Sequence, residues 1–78
     1  MTNYEKYVNI FAETFSVSAE EVENLEYQGI TEWDSAGHMG LISAIEDAFD
    51  IMMDNEDIND LSSFAKGKEI LANNYNIE

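Results

Sequence analysis

Cysteine is absent from the 78 residues, so neither a disulfide nor a thiolate from the protein's own side chains is available. Positive charge is nearly absent as well. Lys6, Lys66 and Lys68 stand against 17 acids, and residues 7 to 65 hold no lysine or arginine. A formal charge of −14 repels phosphate backbones and anionic membranes and attracts basic protein surfaces, so no nucleic-acid binding is expected. No stretch approaches the roughly 18 apolar residues of a bilayer-spanning helix. The opening "MTNYEKYVNIF" has neither the basic start nor the apolar run of a secretory leader. The expectation is a cytoplasmic monomer without membrane insertion. The length suits one domain, residues 1–78, which buries only about 60% of the surface of its unfolded chain and leaves no room for a deep enzyme cleft. An apolar share of 45% is ordinary for a folded globule, which argues against wholesale disorder.

What is present has helical period. Tyr4, Tyr7, Val8, Phe11 and Phe15 form one stripe, with Thr2 or Asn3 as cap and Glu5 in the first turn. In "SVSAEEVENL", Ser18 with Glu21 fits a capping box and Val17 with Val22 a hydrophobic staple, which predicts a short helix from Ala19 to about Leu25. "EYQGITEW" has no period and contains Gly29, so it reads as a loop that Tyr27, Ile30 and Trp33 pin to the core. A helix from Ser35 to about Met52 turns His38, Leu41, Ile42, Ile45, Ala48, Phe49 and Met52 to one face. Asp54 then caps a short turn bearing Ile58 and Leu61. Ser62 or Ser63 caps a last helix with Phe64, Ile70, Leu71 and Tyr75. No segment alternates long enough for a strand. The pattern predicts an all-α fold, a small bundle of three longer helices plus short ones.

Ser35 stands where the central helix begins. Serine is a favoured cap there, and Asp34 beside it serves equally well. His38, the only histidine, falls on the inward face of the same helix, so no Ser-His-acid triad is supported. The outward face is unusual. Ala36, Met39, Gly40, Ser43 and Asp47 lie opposite the apolar stripe, and acids return only at Glu46, Asp47 and Asp50. Two glycines so early in a helix cost about 1 kcal/mol each relative to alanine. A small uncharged patch beside a helix-start serine, rimmed by carboxylates, has the character of a docking face.

"EWDSAGHMGLISAIEDAFDI", with its Asp-Ser pair opening an amphipathic helix, resembles the attachment motif of acyl carrier proteins. The resemblance runs over nearly the whole chain: a long first helix, a long loop, the serine-led helix, a short third helix and a closing fourth. It implies a four-helix bundle of the acyl-carrier type, a carrier rather than an enzyme. By the same resemblance, Ser35 receives 4′-phosphopantetheine from coenzyme A through a phosphopantetheinyl transferase. The thiol at the end of that arm then carries acyl or aminoacyl groups as thioesters between loading and processing enzymes with basic docking surfaces. A helix N-terminus favours a phosphate, and an imported thiol suits a chain without cysteine. Asp34 and Asp47 match acidic partner-contact positions of the family, with Ala36 and Met39 as apolar contacts.

The chain departs from the family pattern at Ala36, where leucine or methionine is usual, and at Gly40, which is often acidic. Trp33-Asp34-Ser35-Ala36-Gly37 replaces the common G-A-D-S-L-D of fatty-acid synthesis. These differences favour a specialised pathway at least as much as fatty-acid or polyketide synthesis. The alternative function is an unmodified acidic adaptor, or a nucleic-acid mimic, that binds basic partners. "DNEDINDLSSF" fails the EF-hand pattern, because Ile58 takes the fifth ligand position and no glycine the sixth, so no specific metal site is expected. Met52 and Met53 are expected to fill the core. In the alternative, Met52 lines a slot for an acyl chain with Ile58 and Leu61.

Overall fold

A computed structural model of the chain describes residues 1–77. Four α-helices follow in order: α1 (Asn3–Phe15), α2 (Ser35–Phe49), α3 (Asn55–Asp60) and α4 (Phe64–Tyr75). The protein is all-α, as the hydrophobic period predicts. Among the described residues there is no strand, only an isolated antiparallel bridge between Glu26 and Ser63, and no helix is long and apolar enough to cross a membrane.

Helix α1 opens on a complete capping box. The Glu5 amide donates to Thr2 Oγ1 at 3.1 Å, and the Thr2 amide donates back to Glu5 Oε1 at 2.9 Å. The bond from the Thr2 amide holds the Glu5 carboxyl below its usual range. Tyr7, Ile10, Phe11 and Phe15 are its buried residues, so Ile10 joins the expected stripe while Tyr4 lies at its exposed edge. Ser16 adopts the left-handed conformation and ends the helix.

The helix expected from Ala19 to Leu25 is instead a single 3-10 turn, Val22–Asn24. The Ser18 hydroxyl donates to Glu21 Oε1, and the Glu21 amide goes to the Ser18 carbonyl, so no capping box forms. Tertiary bonds claim the following residues. Leu25 O accepts from the Phe64 amide at 3.0 Å and the Tyr27 amide donates to Ser62 O at 2.8 Å, which draws Leu25 into an extended conformation. Burial of Val22 and Leu25 is kept without a helix.

The loop behind it folds tightly around Trp33, which is fully buried. The Gln28 amide donates to Trp33 O and the Trp33 amide to Ile30 O, with Gln28 in the left-handed region. Trp33 stacks on Phe15 with centroids 5.1 Å apart and meets Phe11 edge-on at 5.6 Å. Tyr7 and Phe64 extend the aromatic core, each meeting Phe11 edge-on. The buried Tyr7 hydroxyl donates to Phe64 O at 2.7 Å, and burial drives its pKa far above the usual phenol value. That close approach requires Gly67, since a Cβ there would collide with the Tyr7 hydroxyl.

Helix α2 stops three residues earlier than its apolar pattern suggests. Asp50 turns left-handed and its amide closes on Glu46 O. Beyond that reversal the helical spacing no longer applies. Met52 is 87% exposed instead of filling the core, Ala48 is also exposed, and Met53 alone is buried, its amide held by Glu46 Oε2 at 2.9 Å. Asp54 occupies the cap position of α3 but its side chain caps nothing. Of the two serines before α4, Ser63 is the cap, accepting from the Lys66 amide at 3.0 Å.

Candidate functional site

Asp34, not Ser35, caps α2. Its Oδ1 accepts from the Gly37 amide at 2.8 Å, and its carbonyl accepts from the His38 amide at 2.8 Å. Ser35 is thereby the first helical residue, exposed, with a hydroxyl that capping does not use. Among the described residues, the amides of Ser35 and Ala36 meet no acceptor in the chain. Gly37 lets the preceding loop lie against this first turn: a Cβ there would strike the Glu32 carbonyl oxygen.

Among the described residues, the Ser35 hydroxyl has one hydrogen-bond partner. Tyr27 Oη lies 3.2 Å from Ser35 Oγ, either group able to donate. No sequence pattern pairs these residues, since eight positions of irregular loop separate them; the available signal was a loop with three large apolar residues, Tyr27, Ile30 and Trp33.

His38 is engaged elsewhere. The Trp33 indole Nε1–H donates to His38 Nδ1 at 2.9 Å, so the ring's hydrogen sits on Nε2, which donates to Ile58 O at 2.7 Å. Both nitrogens are spent, on the core tryptophan and on α3. His38 therefore has no ring nitrogen left to serve as a base for Ser35.

The outward face of α2 is as expected from the sequence. Ala36, Met39, Gly40, Ser43 and Asp47 are exposed, Met39 to 54%, and Asp34 is exposed at its head. Nothing lies within 4 Å of the position a Cβ would take at Gly40. Beside Tyr27, a hollow of about 170 Å³ is lined by Tyr27, His38, Asn59, Leu61 and Ser62. It falls below the roughly 300–1,000 Å³ of pockets that engulf drug-sized ligands. Met52 takes no part in it, which removes the slot anticipated from Met52, Ile58 and Leu61. Among the described residues, no three side chains of His, Asp or Glu come together to hold a metal ion. Asp57, in the acidic segment, is taken up by the Tyr75 hydroxyl at 2.7 Å and by Asn74.

Comparison of the chain with protein-family models, with curated proteins and with solved structures finds no match in any of the three.

Proposed function

We propose that the chain is an acyl carrier protein in which Ser35 bears a 4′-phosphopantetheine arm. The observation that carries this reading is the exposed Ser35 hydroxyl at the first position of a helix whose cap is already supplied by Asp34. A hydroxyl so placed is free for chemistry at a helix start that favours phosphate. The unpaired Ser35 and Ala36 amides suit a phosphodiester on the same residue.

Loading needs no base from this chain. Ser35 Oγ attacks the coenzyme A phosphorus nearest the pantetheine, its proton passes to a base on the transferase, and the bond to adenosine 3′,5′-bisphosphate breaks. The arm supplies the thiol that the chain lacks, for acyl or aminoacyl thioesters. Around it, Ala36 and Met39 offer an apolar seat for partner enzymes, and Asp34 and Asp47 offer charge to their basic surfaces. The strongly negative field of the chain steers such partners in.

Intact mass after incubation with coenzyme A, Mg²⁺ and a broad-specificity phosphopantetheinyl transferase tests the proposal. The expected result is a gain of one phosphopantetheine, abolished in Ser35→Ala with helical circular dichroism unchanged. No gain in the unaltered protein, or a gain in Ser35→Ala, overturns it; the first outcome favours the unmodified acidic adaptor.

A further inference from the structure

We infer that Tyr27 is a positioning residue for Ser35, fixing the direction of its hydroxyl before modification and donating to the phosphodiester afterwards. This rests on the carrier reading for its second half only.

Tyr27 is 37% exposed in a loop, yet its ring is held. Its amide donates to Ser62 O at 2.8 Å, next to the Glu26–Ser63 bridge. Its ring meets His38 edge-on at 5.4 Å and Trp33 edge-on at 6.4 Å. Those contacts need only a phenyl ring. The hydroxyl, 3.2 Å from Ser35 Oγ, is the part that ring packing leaves unexplained. An exposed serine at a helix start otherwise samples its staggered rotamers freely. A partner whose own position is set by Trp33 and His38 selects one of them.

The charge pattern gives the phenol a second use. Once Ser35 Oγ is esterified it carries no hydrogen, so any bond between the two residues must be donated by Tyr27. A phosphodiester is an anion, and this chain has no lysine or arginine between residues 7 and 65 to offer it. The three lysines are placed elsewhere: Lys6 over the Phe49 ring, Lys68 over the Tyr4 ring, and Lys66 beside Glu69. The chain's donors at this position are neutral: the Ser35 and Ala36 amides and the Tyr27 hydroxyl.

Tyr27→Phe keeps the ring and removes the hydroxyl. In the unmodified variant, the Ser35 Hα–Hβ couplings should move from values of one rotamer toward an average, with the thermal midpoint unchanged. With a phosphopantetheinyl transferase, coenzyme A and Mg²⁺, kcat should fall about 3- to 10-fold at unchanged KM for the carrier, the scale of one hydrogen bond. The ³¹P resonance of the modified variant should shift from that of the modified parent. Couplings and kcat equal to the parent's overturn the inference. So does a rise in KM alone, which would make Tyr27 a contact for the transferase. The separate failure of the carrier reading is visible in Ser35→Ala and leaves the coupling measurement standing.

Discussion

Two glycines in the first turns of α2 look alike in the sequence and differ in what they do. Gly40 faces open space, with nothing within 4 Å of an added Cβ. Alanine there removes a helix penalty of about 1 kcal/mol and meets no clash. Gly40→Ala should therefore raise stability by about 0.5–1 kcal/mol, which for a domain of this size lifts the thermal midpoint by several degrees. Gly37 sits where the Glu32 carbonyl oxygen presses against the helix. Backbone cannot yield as a side-chain tip does, so Gly37→Ala should lose about 1–3 kcal/mol despite the same gain in propensity. Thermal melts followed by circular dichroism compare the two directly, and shifts of the same sign would refute the distinction. One glycine is space for the loop that delivers Trp33. The other thins the exposed face that the carrier reading assigns to partners.

Among the elements, α3 depends most on its neighbours. It spans six residues, buries none of them, and lacks a side-chain cap. Ile58 packs against the edge of the core, and the remaining attachments are polar: His38 Nε2 to Ile58 O, and Tyr75 and Asn74 to Asp57. The first belongs to a continuous strut, Trp33 to His38 to Ile58, that couples the core and α2 to α3. His38→Phe should cost about 1–3 kcal/mol, because it leaves the buried Trp33 Nε1–H without an acceptor. Amide exchange should quicken in α3 before the rest of the bundle. In a Trp33→Phe background the same substitution should cost less, since no indole is left to orphan. Equal costs in both backgrounds would show that the strut carries no coupling. The sequence disclosed α1, α2 and α4 because each buries a stripe at helical period, and it disclosed Ser35 with its exposed flank for the same reason. It did not disclose where tertiary bonds override local signals. Ser18 and Glu21 have the spelling of a helix start, yet Leu25 and Tyr27 are claimed by Phe64 and Ser62. Met52 keeps a helical spacing that the left-handed Asp50 has already ended. The contacts of Tyr27 and His38 join residues whose spacing in the chain follows no repeat.

At the scale of the whole molecule, charge opposes compaction. Fourteen of the seventeen acids lie between residues 7 and 65, where no base accompanies them. Among the described residues the one ion pair is Lys66–Glu69, at 3.8 Å and well exposed, so it offsets little. Folding gathers this charge into a body of 29 × 27 × 19 Å with a radius of gyration of 11.2 Å. An unfolded chain of this length spreads it over a radius of about 27 Å. Repulsion is therefore stronger in the folded state, against a total stability that for so small a core is about 3–5 kcal/mol. The Debye length falls from about 30 Å at 0.01 M salt to about 10 Å at 0.1 M. At the lower concentration every acid feels every other across the molecule; at the higher one only near neighbours interact. The thermal midpoint should rise steeply over that tenfold range of NaCl and level off toward 1 M. MgCl₂ at matched ionic strength separates screening from binding, because only a cation held by the folded state adds stability beyond the NaCl curve. A midpoint that stays flat or falls between 0.01 and 0.1 M NaCl would mean that the unfolded chain is no better relieved of its charge than the folded one.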